Sequence, residues 1–175
     1  MQDPIFAICW QTLSRVGWTS FSFQDVIEEG HPFSLEFLVA HFPSKEDLVL
    51  YFMRSISAQL ICDLPNMFPY QASLREYFFE GIMARLEAFS AHRPLIIDLI
   101  LWGPTSLKTR MIQHLTCDFL PYFFPKRAYF IPPLFLGLYW ISLQQWATQS
   151  DEIVMIHLDS CLHALSLLYP DLEKP

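Results

Sequence analysis

The stretch Phe33-Ser-Leu-Glu-Phe-Leu-Val-Ala-His-Phe-Pro-Ser-Lys-Glu-Asp-Leu48 decides the fold. Leu35, Leu38, Val39 and Phe42 recur at helical spacing, which predicts a short helix with one face packed on a neighbour. Ser34 is placed to cap it, because its side-chain oxygen can accept from N–H groups that the first turn leaves open. Pro43-Ser44 breaks the run. Ser44, with Asp47 three residues on, then starts a longer helix in a capping-box pattern.

Working outward, Asp3-Pro4 is a cap followed by a first-turn proline, and it opens a helix that Gly17 ends. Ile5, Phe6, Ile8, Cys9, Leu13 and Val16 make its apolar face. Ser22 caps a second short helix through Glu29, stopped by Gly30, and His31-Pro32 turns the chain into the third. Three short helices joined by tight turns form a helix-turn-helix unit.

Beyond Ser44 the helix is expected to reach about Cys62 and to stop at Leu64-Pro65, with a loop over 65–70. Further helices are expected from Ser73 to about Ala91, from Leu95 to Trp102, and from Thr105 to near Pro121 or Phe124. Pro125 to Pro133 reads as a loop, and Leu134–Thr148 and 150–168 as the last two helices. No run alternates apolar and polar residues as a half-buried strand does. The chain reads as all-α with nine helices.

His41-Phe42-Pro43-Ser44-Lys45-Glu46-Asp47-Leu48 closely resembles the junction between recognition helix and linker helix in the TetR family of bacterial regulators. The order and lengths of the nine helices resemble that family over the whole chain, and residues 5–55 carry the likeness at motif level. The resemblance implies a helix-turn-helix domain at 1–48, a linker helix at 44–64, and a ligand-binding and dimerisation domain at 66–175. It also implies a cytoplasmic one-component transcriptional regulator that reads operator DNA as a homodimer through helices 134–148 and 150–168, under control of an apolar small ligand. By position, Ser34, Leu35, Glu36, Phe37, Val39, His41 and Lys45 correspond to the DNA-binding surface.

The chemistry of those positions departs from the pattern. Where the family usually has a tyrosine this chain has Val39, its Thr-Leu pair is Phe37-Leu38, and its basic and glycine positions are Leu35 and Glu36. Valine and phenylalanine side chains make no hydrogen bond to phosphates or base edges, and Glu36 meets phosphate with like charge. Lys45 remains as a phosphate contact, and His41 reads as a junction residue between helices.

Charge points the same way. Over the full chain the net charge is −7, and residues 1–50 hold Asp3, Asp25, Glu28, Glu29, Glu36, Glu46 and Asp47 against Arg15 and Lys45. Phosphate neutralisation needs a basic face, so this balance opposes general nucleic-acid binding. The alternative is a protein of the same fold that has given up DNA for a lipid or isoprenoid, similar to the ubiquinone-biosynthesis accessory proteins, or for a protein partner. If Leu35, Phe37 and Val39 are exposed together, they make an apolar patch suited to a partner.

The remaining chemistry is sparse. Cys9, Cys62, Cys117 and Cys161 form no paired spacing and read as reduced thiols. The six histidines form no metal-ligand spacing, and no glycine-rich phosphate loop or nucleophile elbow is present, so neither cofactor nor enzymatic activity is expected. No transmembrane segment is expected, because the most apolar stretch, Ile131–Trp146, is broken by Pro132, Pro133, Gln144 and Gln145. Hydrophobic residues make up 53% of the chain, and 16% of it is aromatic. That richness suggests a ligand cavity or a partner subunit. Phe78, Phe89, Trp102, Phe119, Tyr122, Tyr139 and Trp140 are the candidate ligand-binding residues, with Arg85, Arg93, Lys108 and Arg110 able to offer a cation but expected at the surface. Leu134, Leu138, Ile141 and Trp146 with Ile153, Leu158, Cys161, Leu162 and Leu165 are the candidate dimer face.

Overall fold

A computed structural model describes residues 3–67, 73–115 and 132–170. Among the described residues there are nine helices and no strand: α1 (Pro4–Val16), α2 (Phe23–Glu28), α3 (Leu35–His41), α4 (Lys45–Met67), α5 (Leu74–Ser90), α6 (Arg93–Trp102), α7 (Thr105–His114), α8 (Pro132–Thr148) and α9 (Asp151–Leu168). The protein is all-α over that span.

Helix starts follow their capping residues. The Asp3 carboxylate accepts from the Ile5 N–H at 2.9 Å, and the Ser34 hydroxyl accepts from the Phe37 N–H at 3.2 Å. Ser44 and Asp47 exchange hydrogen bonds at the start of α4, and Ser73 and Glu76 do so at the start of α5. Such caps satisfy N–H groups that the first turn cannot pair, and each is worth about 1 kcal/mol.

Three boundaries differ from expectation. α6 begins at Arg93 and not Leu95, because Pro94 sits in the first turn, where a missing N–H costs nothing. α4 continues through Pro65 to Met67, since proline's φ is itself helical and near a helix end its missing N–H costs a single bond. α8 begins at Pro132, because a first-turn N–H would lack a helical partner anyway. The expected end of the seventh helix near Pro121 or Phe124, the loop over 125–131 and residues 68–70 lie outside the described residues.

The chain divides into two compact units, Met1–Ser55 with His92–Met111, and Ile56–Ala91 with Ile112–Pro175. In the first, α1 buries Phe6, Cys9, Trp10, Thr12 and Leu13. Ile5, Ile8 and Val16, expected on that face, are only half-buried. The buried arc is turned toward Trp10, whose ring stacks on Phe52 of α4 at 4.0 Å between centroids. Thr12 is accommodated because its hydroxyl donates to the Glu29 carboxylate at 2.9 Å. Val26 of α2 and Leu38 of α3 are fully buried, and Phe42 nearly so.

Besides its buried Leu95, Ile96, Leu99 and Ile100, α6 is fixed in this unit by a carboxylate. Asp98 accepts from the Trp18 N–H at 2.6 Å, just past the end of α1. Gly17 sits there at φ +82°, and a Cβ on it would lie 3.3 Å from the same carboxylate. Both the backbone conformation and the close approach call for glycine.

In the second unit α5, α8 and α9 pack on one another. α9 buries Val154, Leu158, Leu162 and Ser166, and α8 buries Tyr139, Ser142, Leu143 and Trp146. An ion pair from Arg75 to Asp159 at 2.6 Å links α5 to α9. Among the described residues no helix is long and apolar enough to cross a membrane.

Candidate interaction face on the third helix

α3 is seven residues long, and only Leu38 among them is buried. At 100° per residue, Glu36 and Ala40 stand about 160° and 200° round the helix from Leu38, at the middle of the outward face. Leu35 and Val39 form one flank, and Phe37 and His41 the other. Leu35 is 45% exposed, Phe37 47% and Val39 42%. Half-exposed hydrophobes flanking a carboxylate are what this helix offers to its surroundings.

The aromatic flank is a ladder of rings. His31 stacks on Phe33, Phe33 on Phe37 and Phe37 on His41, with centroids 5.6–6.4 Å apart and planes within 24° of parallel. Phe37 therefore has a ring on each side. At one end of the ladder His41 Nε2 lies 2.6 Å from Asp3 Oδ2, which ties the end of α3 to the start of α1. Burial pushes the Asp3 carboxyl upward, but the hydrogen bonds from His41, Ile5 and Phe6 outweigh it and hold the pKa below its ordinary value. At the other end His31 Nε2 lies 3.8 Å from Glu29 Oε2.

Both basic side chains of residues 1–50 are engaged within the first unit. Lys45 donates through Nζ to the Trp18 carbonyl at 2.8 Å and lies 4.5 Å from the centre of the Trp18 ring. Arg15 pairs with Glu29, and that hydrogen bond lowers the carboxyl's pKa. Glu28 and Glu36 form no ion pair among the described residues and are exposed.

Of the aromatic candidates for a ligand site, Phe89 and Tyr139 both lie beside the Arg85 guanidinium. Phe78, Phe89 and Tyr139 are buried in the second unit, with Trp140 half-buried there. Trp102 belongs to the first unit and is 68% exposed at the end of α6. Phe119 and Tyr122 lie outside the described residues. Two recesses are found in the first unit: one of ≈ 310 Å³ beside Trp10, Phe52 and His92, and one of ≈ 340 Å³ beside Arg15, Asp98 and Trp102. In the former, burial lowers the His92 pKa, so the ring favours its neutral form.

Arg85, expected at the surface, is wholly buried. Its Nε donates to the Tyr139 hydroxyl at 3.0 Å and its Nη1 to the Ser57 hydroxyl at 2.6 Å, while Ser57 Oγ lies 3.0 Å from His114 Nε2. Burial raises the Tyr139 pKa against the pull of the guanidinium. Ser57 and His114 carried no signal beyond helical placement. Arg85 did, since it shares a stripe with Ile82, Leu86 and Phe89.

Of the candidate dimer residues, Trp146, Leu158 and Leu162 are buried within the second unit, and Leu138 and Leu165 half-buried. Ile141, Ile153 and Cys161 face outward, accompanied by Ile156 and Leu168; the Leu134 side chain is outside the described residues. No protein-family model, curated protein or solved structure matches this chain.

Proposed function

We propose that this chain is a TetR-like helical protein whose helix-turn-helix unit has exchanged DNA for a protein partner, docked on α3. The carrying observation is the outward face of α3, where Leu35, Phe37 and Val39 are exposed around Glu36. Three further facts support the reading. Lys45 is held by the Trp18 carbonyl and ring, and Arg15 by Glu29, so both cations are already partnered within the unit. Exposed hydrophobes grouped on one helix are a feature of association surfaces. Phe37 has a ring on either side, Phe33 and His41, which orders it for docking.

The competing reading is an operator-binding regulator, which rests on the likeness at 41–48. In that case a basic surface must come from elsewhere, and binding must weaken as salt rises. Titration of the full chain with duplex DNA from its own upstream region, and with an unrelated duplex, separates the two. We expect no sequence-preferring binding at low salt. A preference for the upstream duplex that fades at higher salt overturns the proposal.

Assembly as a homodimer through the outward faces of α8 and α9 belongs to the same proposal, supported by exposed Ile141, Ile153, Ile156 and Leu168. Sedimentation of the titrated samples reports it, with a monomer at all concentrations as the contrary result.

A further inference from the structure

Resting on that reading of α3, we infer that the partner presents an amphipathic helix with a lysine or arginine at the centre of its apolar stripe. The rows Leu35–Val39 and Phe37–His41 each follow i, i+4 spacing, and such rows are the ridges along which helices interlock. Between them the middle row holds only Glu36 and Ala40. Ala40 is small, so the furrow is deep there and lets a second helix approach closely. An extended strand lacks the complement it needs, since strand addition requires a sheet edge and the described residues contain none.

Charge selects among helices. Glu36 stands at the middle of the face, exposed and without an ion pair among the described residues, so any partner that covers it takes a carboxylate out of water. An uncompensated buried charge opposes association, and a facing cation reverses that. Glu28, at the end of the α2 helix that packs on α3, adds a second exposed carboxylate. A second copy of the same face sets Glu36 against Glu36 and is disfavoured for the same reason. Duplex DNA fails on like charge. A basic amphipathic helix satisfies shape and charge together.

The test is selection from a displayed library of amphipathic helices about five turns long, randomised across the apolar stripe, with the full chain as bait. Wild type, Glu36→Lys and Phe37→Ser are run in parallel, each checked for native helicity by circular dichroism. Wild type is expected to enrich helices with Lys or Arg at the stripe centre, and these should bind Glu36→Lys at least about tenfold more weakly. Glu36→Lys should itself enrich Asp or Glu at that position. Helices that need Phe37 but show no basic preference, and bind Glu36→Lys equally, overturn this inference while leaving a protein-docking face in place. If no enriched helix depends on Phe37, both fall.

Discussion

α3 and α5 invert each other. α3 turns Leu35, Phe37 and Val39 toward solvent and keeps one leucine inside, whereas α5 buries a guanidinium among Ile82, Leu86 and Phe89. The usual rule places apolar residues in and charges out, and both helices break it locally. The difference teaches where each exception is compensated. Arg85 is held inside its own unit through Nε and Nη1, which donate to the hydroxyls of Tyr139 and Ser57. The apolar face of α3 finds no cover among the described residues, and the proposed partner is what would compensate it.

The largest effect should come from Arg85. Arg85→Met removes the donor to two buried hydroxyls and should destabilise by about 3 kcal/mol or more, read from denaturant melts. An unchanged melt would mean that the buried network is dispensable and that the contrast with α3 is superficial. Adjacent residues of α3 sharpen the other half. Leu38→Ala should cost about 2–5 kcal/mol, as large-to-small changes in a packed core do. Phe37→Ser, half-exposed, should move stability by about 0.5 kcal/mol or less. Equal losses would show that Phe37 belongs to the core and not to a docking face.

The smallest effect is a pH dependence in the first unit. Burial depresses the His92 pKa from its ordinary 6.5, so the unfolded chain binds this proton more readily than the folded one. The neutral ring's contribution is therefore complete above about pH 6.5 and is lost as pH falls through the folded value. His92→Phe keeps an aromatic ring against Trp10 and Phe52 and should flatten the melting temperature over that window. A variant with the same slope as wild type assigns the dependence to other groups.

Much of this architecture is legible in the sequence because its punctuation is local. Ser34, Ser44 with Asp47, Gly17 and Gly30 mark ends through their own backbone chemistry, and the helices stop where they direct. What escapes is whatever depends on which side of a helix faces in. Both faces of α9 are apolar, so periodicity alone gives no reason to bury Val154 and Leu158 and expose Ile153 and Ile156. Trp102 looks like a core aromatic in composition, yet it ends a short helix whose buried positions are Leu95, Ile96, Leu99 and Ile100. On α3 helical spacing puts Leu35 and Val39 on the packed face with Leu38 and Phe42, yet both are exposed with Phe37, because the short helix turns only Leu38 inward. Lys45 looked free for phosphate because its acceptors, two backbone carbonyls, leave no trace in side-chain patterns.

The hydrogen bond from the Trp18 N–H to Asp98 spans eighty residues of chain. During synthesis the three short helices leave the ribosome before α6, so the carboxylate that seats the turn after α1 follows only when α6 has been made. Contacts so distant in sequence close slowly, because the ends of a long loop must meet before the bond rewards them. Until then the nascent first unit carries its exposed Phe37 ridge without its own last strut. A segment translated before α6 is thus finished only after it, and a chain stalled before residue 98 would present that ridge without its strut.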